Sequence, residues 1–250
     1  MELSGKRALV TGGTRGIGAA IALDFARQGA HVAINCRKED DAAQETLGQL
    51  RATGVTATLV TADVADESQV ERMVESAAES LGGLDLLVAN AGGPEPGGIG
   101  AVQPADWRRA FDVHVHGAYY LVHYGLPHLK KNAEGAIVLT ASAAAIRGCP
   151  GAVAYGTVKG ALVQFTRMLG RDLADDNIRV NCVAPGIIRT RFHDQMTPEQ
   201  QNHNLANRIP LHREGTSEDV AQAVRLLATN EFMTGETVVV DGGMTMQITR

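Results

Sequence analysis

Tyr155 and Lys159 stand four residues apart in A-Y-G-T-V-K-G-A, so a single helical turn would place a phenol beside an ammonium. A free phenol titrates near pH ~10, too high to exchange protons readily at neutral pH. A fixed cation beside it favours the phenolate and is expected to pull that pKa down. The pair therefore reads as a tuned acid/base. The plain alternative is an exposed Tyr and Lys on a helix face, since a five-residue pattern arises easily by chance. Ser142 lies 13 residues before Tyr155, at the end of the apolar run A-I-V-L-T. Its hydroxyl is placed either to donate a hydrogen bond to a reacting oxygen or to cap a turn in A-S-A-A-A.

A second constellation lies at the N-terminus, where the run Arg7 to Val10 feeds into T-G-G-T-R-G-I-G, residues 11 to 18. Strand, glycine-rich turn and helix are the context a dinucleotide-binding fingerprint requires. Glycines at 12, 16 and 18 let the backbone turn tightly and approach a pyrophosphate, whose charge is met by N–H groups at a helix N-terminus. The helix is expected over Ala19 to Gln28, closing at Gly29.

The elements that must position these residues are legible as an alternation. Strand-like segments at Arg7 to Val10, His31 to Asn35, Thr56 to Thr61, Leu84 to Ala89, Ala136 to Thr140, Arg179 to Val183 and Thr237 to Val240 are separated by helical patterns. This predicts right-handed crossovers and an α/β, Rossmann-type doubly wound sheet of seven mainly parallel strands with helices on both faces. No linker or repeat divides the 250 residues, which are read as a single domain, 1–250. The longest irregular stretch is 186–216, with Pro198, Pro210 and a polar run from Gln200 to Asn204. Three scattered cysteines, Cys36, Cys149 and Cys182, suggest a reduced protein without disulfides or a zinc site. With no signal peptide and no long apolar run, the expectation is a soluble cytoplasmic protein, and a net charge of −5 argues against a nucleic-acid surface.

Taken together, the motifs resemble those of the short-chain dehydrogenase/reductase family. Besides T-G-x-x-x-G-x-G and Y-x-x-x-K, the chain carries Asp63-Val64 after the third strand, Asn90-Ala91-Gly92 after the fourth, Ser142 before Tyr155, Pro185-Gly186 after the sixth, and the ending G-E-T-V-V-V-D-G-G. The resemblance implies hydride transfer between a nicotinamide and a carbonyl or alcohol, with Tyr155 as acid/base, Ser142 on the substrate oxygen and Lys159 on the nicotinamide ribose. Cofactor contacts are implied for Gly12, Thr14, Arg15, Gly16, Ile17 and Gly18 of the turn, and for Arg37, Asp63 and Val64. Further contacts fall on Asn90, Ala91 and Gly92, on Tyr155 and Lys159, and on Pro185, Gly186, Ile188 and Thr190. The irregular 186–216 stretch corresponds to the family's substrate lid.

Members that prefer NAD usually carry an acidic side chain where this chain has Cys36, about 18 residues past Gly18. Arg37 follows at once and Arg15 lies in the turn, two guanidinium groups suited to a 2′-phosphate, so NADP(H) is expected over NAD(H). The alternative is that both arginines are merely solvated.

One residue departs from the pattern. The family usually has asparagine seven positions after a tryptophan like Trp107, where it fixes a helix bend whose backbone carbonyl holds a water linked to the lysine. Here that position is His114, in W-R-R-A-F-D-V-H-V-H-G. Three outcomes are open: histidine keeps the bend and the relay, it shuttles protons itself, or the relay is damaged. Damage would leave a nucleotide-binding protein with weak or no turnover as the alternative function.

The general resemblance points to 3-oxoacyl-thioester reductases, with free ketones, quinones and sugars also open. Lys130, Lys131 and Arg171 are candidate contacts for an acyl carrier protein. Helices at roughly Asp112 to Lys131 and Val153 to Ala174 correspond to those that pair symmetry mates in this family, implying a homotetramer or homodimer. No metal site is read.

Overall fold

The fold is built from strands that are apolar on both faces. In a computed structural model, which describes residues 1–190 and 196–246, the elements in chain order begin with β1 (Arg7–Val10), α1 (Gly16–Arg27), β2 (His31–Cys36), α2 (Asp41–Ala52), β3 (Ala57–Thr61) and α3 (Glu67–Leu81). They continue with β4 (Leu86–Ala89), α4 (Pro104–Phe111), α5 (Gly117–Leu129), β5 (Gly135–Thr140), α6 (Val153–Asp172), β6 (Ile178–Pro185), α7 (Pro198–His203), α8 (Ser217–Thr229) and β7 (Thr237–Val240). The strands form one sheet in the order β3-β2-β1-β4-β5-β6-β7, every pairing parallel.

Side chains alternate across the sheet. Leu9, Ile137 and Leu139 join one core beneath α3, α5 and α6. Ala8, Val10, Ala136 and Val138 join the other beneath α1, α2 and α8. Coverage on both faces is why these strands read as continuous apolar runs rather than as an alternating pattern. Strand order reverses between β1 and β4, so the loops following them open a crevice at the carboxyl end of the sheet. The glycine-rich turn, Asn90-Ala91-Gly92 and Ser142 all follow strands into that crevice. Among the described residues no helix is long and apolar enough to cross a membrane.

Two elements differ from the sequence expectation. The helix expected over Asp112 to Lys131 starts earlier, as α4, and passes through a five-residue π-helical segment, Asp112–His116, before continuing as α5. Gly117 N–H reaches back five residues to the Asp112 carbonyl. The expected lid loop is partly helical. Thr197 and Gln200 form a reciprocal capping box, Pro198 occupies the first turn of α7, and a second π-helical turn covers Asn204–Arg208. Proline reads as a breaker, yet at the first helical position it costs no hydrogen bond and supplies the right φ. Residues 191–195 of that lid lie outside the described residues.

Candidate active site

The turn after β1 is a backbone structure that only glycine permits. Gly12 and Gly16 have φ of +61° and +53°, in the left-handed region that other residues avoid. A Cβ on Gly18 would sit 2.1 Å from the Gly12 carbonyl oxygen and 2.6 Å from Asn90 Nδ2. This close approach brings the first turn of α1 under the loop. The helix receives no side-chain cap from Arg15, so its leading N–H groups remain for an anion.

Asn35 and Thr46, which no sequence motif marks, hold this turn in place together with Thr11 and Asn90. Asn35 Oδ1 accepts from Gly12 N–H at 3.3 Å, while its Nδ2 donates to the carbonyls of Cys36, Val60 and Ala62. The Thr11 hydroxyl accepts from the Asn90 and Ala91 amides at 3.0 and 3.1 Å. Asn90 Nδ2 in turn donates to the carbonyls of Thr11 and Gly12. Asn90 thus works as a brace between β1 and β4. Thr46 on α2 donates to the Thr14 carbonyl.

At the far end of the cleft lie Arg15, Arg37, Lys38 and Asp63. No carboxylate occupies the Cys36 position, but Asp40 enters from four residues on and pairs with Arg15. Asp40 also caps α2 by accepting from Ala43 N–H at 3.0 Å. The two-arginine clasp expected from sequence is therefore not pre-assembled: Arg15 is held by Asp40, and Arg37 is exposed.

The chemistry converges at the ends of β5 and α6. Lys159 is 4 % exposed and donates from Nζ to the Thr140 carbonyl at 2.7 Å. Burial drives its pKa down from the ordinary lysine value to about 8. Its Nζ lies 5.7 Å from the centre of the Tyr155 ring. Ser142 is 9 % exposed and accepts from Ala144 N–H at 3.2 Å, so it does cap a turn. It also hydrogen-bonds the Tyr155 hydroxyl, an interaction that favours the phenolate. The cation was expected to pull the phenol below its ordinary pKa. Instead desolvation dominates and holds Tyr155 above that value, with the Ser142 hydrogen bond opposing.

His114 sits in the π-helical bend, so histidine keeps the distortion that asparagine is expected to fix. Its ring stands edge-on to Tyr155, with centroids 5.8 Å apart. The ring packs where a side chain on Gly92 would be: a Cβ there would lie 2.4 Å from His114 Cε1. Gly117, three residues on, brings the bend within reach of the loop after β3, since its Cβ would lie 2.9 Å from the Val64 carbonyl oxygen. Burial, then the Lys159 charge, lowers the His114 pKa to about 3. A hydrogen bond with the Gly93 backbone opposes this shift.

Every residue singled out for catalysis or cofactor binding lines one cleft of about 1550 Å³. Thr190 lies against Gly16, bringing the start of the lid to the turn, and Gly186 packs so tightly on Asp241 that a Cβ would lie 2.6 Å from the Asp241 Cβ. The basic residues considered for a carrier protein lie elsewhere, with Lys130 paired to Asp176 at 2.8 Å. A tight positive-φ turn, an uncapped helix N-terminus and an elongated cleft fit a dinucleotide.

Residues 12–245 match the family model described as enoyl-(acyl carrier protein) reductase. A short-chain dehydrogenase from Burkholderia cenocepacia, solved in complex with NADP, is 36% identical and superposes with a TM-score of 0.90 over 98% of this chain and 99% of that one. The chain belongs to the short-chain dehydrogenase/reductase family. Within the family it is 34% identical to the 3-oxoacyl-[acyl-carrier-protein] reductase of Staphylococcus aureus, over 96% of this chain and 98% of the relative. The fold also matches a 7α-hydroxysteroid dehydrogenase complexed with NADH and 7-oxo glycochenodeoxycholic acid, at 32% identity and a TM-score of 0.93 over 98% and 96% of the two chains. As a short-chain dehydrogenase/reductase, this protein is an oxidoreductase.

Proposed function

We propose that the protein is an NADPH-dependent carbonyl reductase, running in reverse as an alcohol dehydrogenase, on a ketone or 3-oxoacyl thioester. The observation that carries this reading is the meeting of Ser142, Tyr155 and Lys159 in the cleft that the glycine-rich turn also lines. A reduced nicotinamide bound there supplies hydride to the carbonyl carbon. Ser142 donates a hydrogen bond to the oxygen as charge builds on it. Tyr155 gives that oxygen its proton. A phenol held above its ordinary pKa rests protonated at neutral pH, which is the form reduction needs. The ammonium of Lys159 then stabilises the phenolate left behind.

Arg15, Arg37 and Lys38 at the far end of the cleft support NADPH over NADH, with Asp40 sharing Arg15. The reductase of Staphylococcus aureus, by its name, supports a 3-oxoacyl thioester as substrate. For delivery on an acyl carrier protein, Lys131 and Arg171 are the exposed basic residues not held by Asp176. A cytoplasmic location fits this reading. The test is oxidation of NADPH by ketones and 3-oxoacyl thioesters, which Tyr155→Phe should abolish.

A further inference from the structure

Resting on the reductase reading, we propose that Arg208 and Arg147 form an anion-binding subsite in the substrate part of the cleft, to which the carbonyl substrate brings a carboxylate or phosphate group. Arg15, Arg37 and Lys38 are accounted for by the dinucleotide. Four more arginines line the same cleft: Arg109 on α4, Arg147 after β5, and Arg189 and Arg208 in the lid segment. Against them stands Glu95, the lining carboxylate besides Asp40 and Asp63. In a chain of net charge −5 this is not general basicity. Two of the four are answered by acids. Arg189 pairs with Glu214 at 3.0 Å, and the Arg109 charge acts on Glu95, whose carboxyl burial pushes above its ordinary pKa. Arg208 forms no ion pair among the described residues. Its guanidinium is aimed by a buried neutral group instead. Asn204, at the other end of the same π-helical turn, is 5 % exposed. It accepts from Arg208 Nη1 at 2.8 Å and donates through Nδ2 to Met196 Sδ at 3.4 Å. A buried amide is destabilising unless it is bonded, and here its oxygen orients a cation without cancelling the charge. That bond uses one of five guanidinium donors, and the planar fork suits an oxyanion.

Arg147 approaches the same place from the body of the protein. It donates from Nη1 to the Met244 carbonyl at 3.1 Å. The neighbouring Gly243 packs on Pro210, where a Cβ would lie 3.1 Å from Pro210 Cγ, and Leu211 N–H donates to the Gly242 carbonyl. The turn after β7 is thus gripped by Arg147 on one side and by the residues just past Arg208 on the other. Arg147 also follows Ser142 by five residues, with a 3₁₀ turn at Ala143–Ala145 between them. Its backbone therefore stands on the order of 10 Å from the hydroxyl that meets the substrate oxygen. A substrate whose carbonyl lies at Ser142 and Tyr155, with its anion a few carbons further along, spans that gap. The chemistry recognised is an oxyanion, supplied either by a carboxylate on a short ketone or by the phosphates of a pantetheine thioester.

The test measures kcat/KM with NADPH for two kinds of matched pair. One sets linear methyl ketones ending in a carboxylate beside their methyl esters. The other sets 3-oxoacyl thioesters of coenzyme A beside those of N-acetylcysteamine, which has no phosphate. Wild type should favour the anionic member of at least one pair by about tenfold or more, the scale of a charge-assisted contact. The pair that shows the preference identifies the anion as carboxylate or phosphate. Arg208→Gln should lower kcat/KM for the anionic member about tenfold more than for the neutral one. Arg208→Lys should restore part of the preference, and Arg147→Gln should weaken it. Equal use of both members of every pair by wild type, or an undiminished preference in Arg208→Gln, overturns the proposal. If no carbonyl is turned over, it is the reductase reading that fails, and the subsite is decided by binding. Calorimetric titration of the protein in the presence of NADP with glutarate and with 4′-phosphopantetheine should then show binding of at least one anion, about tenfold weaker in Arg208→Gln. No binding, or equal binding by the two proteins, overturns the subsite.

Discussion

A buried neutral histidine ties acid stability to one residue. His114 falls from the ordinary imidazole value to about 3 in the folded chain, so between about pH 6.5 and 3 the unfolded chain binds a proton that the native one refuses. Stability therefore declines as pH falls through this window, by up to about 1.4 kcal/mol per pH unit from this residue. Urea midpoints of wild type and His114→Asn across the window should show a shallower acid decline in the variant; parallel declines would count against a neutral buried ring. Cofactor choice is also settled residue by residue. Arg37→Ala should reduce the NADPH-to-NADH ratio of kcat/KM by about tenfold, the loss of a charge-assisted contact; an unchanged ratio would mean that Arg37 is merely solvated. Tyr155, Lys159 and Ser142 were legible because their spacing along one helix and after one strand is local. Asn35, Asp40 and Thr140 were not, since each acts on groups that only the folded sheet brings near. The direction of the Tyr155 shift was misjudged for a similar reason: a neighbouring cation can be read from i, i+4 spacing, but burial cannot.

At the scale of elements, the steric demand of the first turn makes a sharp prediction. With backbone oxygen 2.1 Å from the site of a new methyl, Gly18→Ala must push α1 away from the loop. A loss of about 1–3 kcal/mol in stability, typical of overpacking, should accompany at least tenfold weaker NADPH binding by titration calorimetry. Wild-type affinity in that variant would mean that the turn does not hold the cofactor. The seven strands could be placed from apolar runs, and their predicted limits fall within a few residues of those observed. What could not be placed was the π-helical bend, because helical periodicity is nearly the same on either side of one extra residue per turn. The lid helix α7 was hidden behind Pro198, whose meaning depends on the capping box that precedes it.

For the whole molecule, a parallel sheet with helices on both faces buries most of its strand surface, and part of the apolar area left exposed lies on helices. Tyr119 on α5 and Met168 on α6 are 47% and 61% exposed, on the helices expected to pair with symmetry mates. Sedimentation velocity at micromolar concentration should give a dimer or tetramer, and Met168→Glu should shift it toward monomer. A monomeric wild type would contradict that assembly. The central claim is the acid/base assignment in the shared cleft. It is tested most directly by following the loss of reduced-nicotinamide absorbance with NADPH and a panel of 3-oxoacyl thioesters, diketones, quinones and ketoses, for wild type beside Tyr155→Phe. The account predicts turnover of at least one carbonyl, reduced at least about a hundredfold in the phenylalanine variant while NADPH still binds. Equal turnover by the two proteins would contradict it.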